Sequence, residues 1–309
     1  MEHRRVNRIY TAILIVNIAV ELLIWYVFED LVDLENLVQN ELIVEGILIL
    51  PAMLGLLIKK DEEPLSERLG FRKLRPATIG LVALYAIVIM PIGTLANSIS
   101  LLFTDNEVAM NSSLYLNQNF AVSFFFVAVL GPFVEEFVFR GVIFRGYRRA
   151  GRYMAAAFLS ALLFGLVHMN LNQFVYAFVL GIMFALVTEA TDSIWASFIC
   201  HFLFNGESVI AMYLYDLVYP GAYEDYVPSA EGLGETILIY AIIAVFAFAL
   251  AILLLKAISK KENREEEFKN MFYNYDTGVK KQRLVTPILV VGLIINISYM
   301  ILWELLKYL

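Results

Sequence analysis

The chain has 309 residues, 60% of them hydrophobic and 17% charged, with a mean hydropathy of +0.71 and a net charge of −7. That composition excludes a soluble globular core and predicts a polytopic membrane protein. The negative balance itself says nothing about nucleic acid, and no nucleic-acid partner is expected; the single cysteine, Cys200, excludes both an intrachain disulfide and a cysteine-based metal framework.

Nine apolar runs follow in chain order, at approximately 9–28, 42–58, 77–103, 119–145, 153–169, 173–189, 193–215, 236–256 and 285–306. Each is near or above the roughly 17–25 residues that carry a helix across a hydrocarbon core. They are apolar all round rather than alternating, so an all-α bundle of about nine spans is expected, with eight as the alternative, and a β-barrel is not. The first run follows MEHRR like a signal peptide, but it is too long and lacks a small-residue cleavage site, so it reads as a retained span. Glu21 and Glu45 fall toward the ends of the first two runs, where a long side chain can reach the interface, and are read as structural. The segment LSERLGFRKLR before the third run resembles a short interfacial element, and residues 256–283 suit a surface helix and loop near the headgroups. Three regions result: amino-terminal spans over 1–118, a chemistry-bearing core over 119–215, and carboxyl-terminal spans over 216–309. Spans four to seven are expected at the centre, with spans one, two, eight and nine at the periphery.

Lysine and arginine give the orientation. Of the 23, three lie near the amino terminus, six in 59–76, five in 140–152 and eight in 256–283, which leaves only Lys307. With nine spans these four regions share one face. The positive-inside rule makes that face cytoplasmic, with the amino terminus inside and the carboxyl terminus outside.

Ionisable residues interrupt three of the four core runs. Glu135, Glu136 and Arg140 lie in the fourth, His168 ends the fifth, and His201 and Asn205 lie in the seventh. A charged group at bilayer depth costs roughly 2.5–3.5 kcal/mol on insertion scales, so such groups tend to face a cavity and carry chemistry. Glu136 and Arg140 are i,i+4 and can pair as a packing clamp. Glu135 is rotated by about 100° and has no local partner. Pro132 predicts either a kink or a re-started helix with Glu135 in its first turn. Phe164 and His168 are also i,i+4, so the ring is expected to stack over the imidazole. Glu135, His168 and His201 are spaced evenly, 33 residues apart.

Two assemblies of these groups are open. A carboxylate and a histidine can activate water, while a second histidine and an asparagine stabilise the oxyanion. Alternatively Glu135, His168 and His201 could hold a divalent metal such as zinc. The first is favoured, with no cofactor, because Asn205 suits an oxyanion donor better than a zinc ligand. One tension is visible: His168 lies about 22 Å along its run from Tyr153, while Glu135 and His201 lie about 12–15 Å from the same end of theirs. Convergence therefore needs a tilted or short fifth helix, or a fifth span that starts later than residue 153.

The sequence Glu135-Glu136-Phe137-Val138-Phe139-Arg140, then Phe164-Gly165-Leu166-Val167-His168, then His201-Phe202-Leu203-Phe204-Asn205 resembles the CPBP, or Abi, family of intramembrane endopeptidases. That family includes CAAX-prenyl proteases and bacteriocin-processing or self-immunity proteins. Each motif is weak alone, and the three in order are specific, over about residues 119–215. The resemblance implies that Glu135 and His168 activate water, that His201 and Asn205 hold the oxyanion, and that Glu136, Arg140 and Phe164 support them. It further implies membrane lipid as surroundings and a peptide or prenylated protein as substrate, with a membrane-protein partner possible. Rival readings are a non-catalytic adaptor or immunity protein and a proton-coupled transporter. No H-E-x-x-H or G-x-S-x-G motif occurs.

Overall fold

The computed structural model describes residues 3–28, 30–33, 35–58, 63–221, 231–273 and 281–307, and among them there are helices and no strand. The principal helices are α1 (His3–Val27), α2 (Leu37–Leu57), α3 (Pro76–Ser100), α4 (Phe120–Arg148), α5 (Tyr153–Val167), α6 (Leu171–Thr191), α7 (Ile194–Val218), α8 (Leu233–Lys261) and α9 (Pro287–Leu306). Eight of the nine are long and apolar enough to cross a membrane. The exception is α5, whose 15 residues reach about 22 Å, short of the roughly 30 Å hydrocarbon core. The described residues thus give eight candidate spans, the alternative count, with α5 a shorter apolar helix that still leads from the Arg148 end of α4 to the Leu171 end of α6. The chain is an integral, multi-pass membrane protein.

Of the eight, α6 is the most deeply buried and α8 the least. Helix α3 packs against α6, α7 and α8, while α9 packs on α1 and α1 on α2. Helix α5 lies along α6, and glycine permits the close approach. A methyl at Gly181 would lie 3.0 Å from the Ala161 Cβ, and one at Gly165 would lie 2.8 Å from the Phe174 carbonyl oxygen. Without a hydrophobic force between helices in lipid, such small-residue contacts hold neighbours together. Helix α2 is not wholly peripheral, because it packs against the middle of α4. Cys200 is buried and free.

The basic regions meet at one end of this bundle. Arg5 donates to the Gly55 and Leu56 carbonyls at 2.5 and 2.6 Å. Arg145 bonds Asp192 at 2.7 Å and the Arg68 carbonyl at 3.0 Å. Arg148 grips both oxygens of Glu189 at 2.5 and 2.8 Å, and Arg264 reaches Glu189 and Asp192 at 3.5 and 3.7 Å. Gln282 N–H donates to the Ala150 carbonyl. The expected surface element is the helix Glu265–Tyr273, and LSERLGFRKLR contributes the short helix Leu65–Leu69. Lys59, Lys60 and Lys280, and the loop 274–280, lie outside the described residues. At the opposite end Glu304 accepts from the Thr104 hydroxyl and the Leu171 N–H, and Lys307 pairs with Glu107.

Asp192 joins α6 to α7 in a left-handed conformation, φ 56°, which a short polar side chain tolerates. Burial pushes its carboxyl up, but Arg145, Arg264 and Arg148 more than offset this and hold it below the usual carboxylate range. A group depressed on folding stabilises the fold above its unfolded pKa of about 3.9, and that contribution is lost as pH falls through the lower folded value. Asp192→Asn should therefore lower the thermal midpoint at neutral pH and flatten its acid dependence below about pH 4. An unchanged acid slope by differential scanning fluorimetry would remove Asp192 from this network.

Candidate active site

Helix α4 carries the first cluster and is unusual in its winding. Phe125–Leu130 and Phe137–Phe144 are π-helical, with an α-helical piece, Gly131–Glu136, between them. The helix does not re-start at Pro132, one of the two outcomes the sequence left open, but runs on to Arg148. Local widening absorbs the proline. Gly131 N–H donates to the Phe126 carbonyl, five residues back. Pro132 has no N–H to give to Val127, the next carbonyl in that register. The Asn205 side chain supplies the donor instead, Nδ2 to the Val127 carbonyl at 3.0 Å. π-Bulges of this kind concentrate at functional sites, where they re-aim side chains.

Glu136 and Arg140 form the expected pair, and both are about 99% buried. Arg140 Nη1 donates to Glu136 Oε1 at 2.8 Å, and Nη2 reaches the Gly181 carbonyl at 3.3 Å. The guanidinium carbon lies 4.3 Å from the Phe164 ring centroid and 5.2 Å from that of Phe184, adding cation–π attraction in a desolvated setting. The pair also reaches α7, because His201 Nδ1 lies 3.0 Å from the same Glu136 oxygen. Glu136 Oε2 is buried without a partner among the described residues.

His168 caps the C-terminus of α5, just before Met169 at φ 59°. The turn is fixed by Asn170, whose amide donates to the His168 carbonyl and whose oxygen caps α6 at the Gln173 N–H. The imidazole does not stack on Phe164. The rings meet edge to face, 86° apart with centroids separated by 5.2 Å. Two contacts explain this. The Phe164 ring face is taken by Arg140, and His168 Nδ1 is held on the Phe164 carbonyl at 2.9 Å.

A carbonyl only accepts, so the His168 proton sits on Nδ1 and Nε2 offers its lone pair. Glu136, paired with Arg140, similarly accepts from His201 Nδ1. Both free Nε2 atoms then face Glu135. His201 Nε2 lies 3.4 Å from Glu135 Oε2, and His168 Nε2 lies 3.9 Å from Oε1. Glu135 thus sits between two imidazoles, with a different oxygen turned to each, and keeps 16% of its side chain exposed. Among the described residues no three His, Cys, Asp or Glu are arranged to hold a metal ion. Asn205 lies one turn beyond His201, and its printed bond is to Val127 rather than to either histidine or Glu135.

Phe184, the Val127 carbonyl and Glu41 were not singled out from sequence. The first two have no local signal, because they enter through packing. Glu41 had one, since it is i,i+4 to Glu45 within a single apolar helix. Glu45 does not reach the interface as expected: it is 94% buried against α4.

Residues 117–206 match the family described as "Type II CAAX prenyl endopeptidase Rce1-like". The chain is 30% identical over 83 residues to the candidate membrane peptidase YdiL of Bacillus subtilis, covering 27% of this chain and 34% of that protein. It is 30% identical over 118 residues to the membrane-embedded CAAX protease MroQ of Staphylococcus aureus, covering 35% of this chain and 47% of that protein. The chain therefore aligns with less than half the length of these curated relatives. No solved structure matches it. The matched segment contains Glu135, Glu136, Arg140, His168, His201 and Asn205: over residues 117–206 this membrane protein is similar to the Rce1-like CAAX-endopeptidase family.

Proposed function

We propose that the chain is an intramembrane endopeptidase in which Glu135 activates a water to attack a peptide carbonyl. The observation that carries this reading is the aim of both Nε2 atoms at one partly accessible carboxylate. Glu135 takes a proton from water, and His168 Nε2 accepts a hydrogen bond from that water and orients it. The proton passes from Glu135 to His201 Nε2, and the resulting imidazolium is stabilised through Nδ1 by Glu136. His201 then presents an Nε2–H to the oxyanion and later gives that proton to the leaving amine. Positioned acid–base groups of this kind contribute typically 10²–10⁴-fold. Removing water from around the site strengthens each of these interactions.

Asn205 has two N–H groups, and only one is engaged with Val127. The second is available for the oxyanion. On this reading Asn205→Ala lowers turnover about 100- to 1,000-fold. A loss below about 10-fold, with a lowered thermal midpoint, would assign Asn205 to helix winding alone.

The substrate class is a prenylated CAAX-type tail or a membrane-embedded leader peptide. We place the basic end of the bundle, with the amino terminus, in the cytoplasm, and the end holding Lys307 outside. The site works without a metal in this proposal. Support comes from the carboxylate lying between the histidines with one oxygen toward each, rather than presenting a shared apex with them. The experiment is cleavage of prenylated and leader-type peptides by purified protein in nanodiscs, with and without chelator, alongside elemental analysis. One zinc per chain, with activity lost on chelation and restored by zinc, would overturn the metal-free assignment.

A further inference from the structure

Helix α2 brings two more carboxylates to this site. Gly131 lies one turn before Glu135 on the same face of α4. A methyl built on Gly131 would lie 3.2 Å from Glu45 Oε1 and 3.9 Å from Glu41 Oε2. Both acids therefore crowd one spot beside Glu135, and both interact electrostatically with it. Glycine at 131 is what leaves them room.

Nothing among the described residues neutralises this group. No hydrogen bond or ion pair reaches Glu41 or Glu45, although Glu45 is 94% buried and its Oε2 has no partner. Arg140 is on Glu136. An unpaired polar atom in an apolar setting is expensive, and three adjacent carboxylates more so. Two tyrosines lie within electrostatic reach: Tyr115 of Glu41 and Tyr176 of Glu135, and the two tyrosines of each other. Unpaired acidic oxygens at one spot make surroundings that suit an ammonium or guanidinium. Among the described residues no three acidic or histidine side chains are arranged for direct metal coordination, so an organic cation fits better than a bound metal.

We infer that Glu41, Glu45 and the adjoining edge of Glu135 form a subsite that receives a lysine or arginine side chain of the peptide substrate, close to the bond that is cleaved. This rests on the endopeptidase reading and narrows its substrate class to peptides with a basic residue near the scissile bond. The counter-charge missing from the bundle is then brought by the substrate. Its arrival also lowers the repulsion that Glu135 experiences from α2.

The test uses the full chain in nanodiscs and fluorescein-labelled peptides identical except for one position. Lysine is compared with norleucine, and arginine with citrulline, at each site within four residues of the cleaved bond. Wild type should prefer the charged peptide at one position by about tenfold or more in kcat/KM, the scale of one charge-assisted hydrogen bond. Glu45→Gln, and separately Glu41→Gln, should reduce that ratio to within about twofold, through loss on the charged peptide. Equal cleavage of charged and neutral peptides by wild type at every position overturns the subsite and leaves the endopeptidase reading standing. If no peptide is cleaved, fluorescence anisotropy decides. Charge-selective binding that vanishes in Glu45→Gln retains the subsite and rejects the peptidase. Binding without charge selectivity overturns the subsite.

Discussion

Glu136→Gln is expected to destabilise the folded chain by about 3–5 kcal/mol, the usual cost of removing one partner of a buried ion pair. The carboxylate serves two helices at once, since Oε1 accepts from Arg140 within α4 and from His201 on α7. Its loss strands a guanidinium that is about 99% buried and whose remaining contacts are one carbonyl and two aromatic rings. It also releases His201 Nδ1, so turnover falls with stability. The readout is the thermal midpoint in detergent, with proteolysis as a second probe. Replacing both partners, Glu136→Gln with Arg140→Met, should recover part of the stability, because no uncompensated charge is then left buried. A single Glu136→Gln variant with the wild-type midpoint would show that the pair is not a clamp.

Glu135→Gln is expected to act in the opposite way. Turnover should fall by about 10²–10⁴-fold or more, because the amide keeps the size of the side chain but cannot take a proton. The fold should be unaffected, since Glu135 has no arginine or lysine ion pair among the described residues and its side chain is partly exposed. His168→Gln should likewise reduce turnover while leaving Arg140 and Glu136 in place. The contrast between neighbours is the informative part, with one carboxylate needed for structure and the next for chemistry. Equal loss of thermal midpoint in the two variants would contradict that division.

How much of this was legible beforehand depends on how local each feature is. The Glu136–Arg140 pair was legible because i,i+4 spacing on a helix leaves little freedom. The gathering of Glu135, His168 and His201 followed from their even spacing along apolar helices of the core, and the structure places both imidazoles within 3.9 Å of Glu135. The depth mismatch narrows for Glu135, because α4 runs on to Arg148, about 20 Å beyond it. Hydropathy alone could not show that α5 is too short to cross a membrane, since its apolar run, 153–169, reaches the low end of the spanning range while the helix itself ends at Val167. The winding of α4 was misread for a different reason. Proline forbids one hydrogen bond, but whether the helix breaks or widens depends on a donor from elsewhere, and Asn205 on α7 supplies it. Glu45 was misread because position along a span was taken as depth, while packing of α2 on α4 buries it.

The most direct test of the account is single-turnover cleavage by purified protein in nanodiscs, run side by side for wild type and Glu135→Gln at matched thermal midpoints. The account predicts cleavage of a CAAX-type or leader-type peptide by wild type. It also predicts incorporation of one oxygen from ¹⁸O-labelled water into the new carboxylate, and no product from Glu135→Gln above about one hundredth of the wild-type rate. Cleavage by Glu135→Gln at the wild-type rate would contradict it.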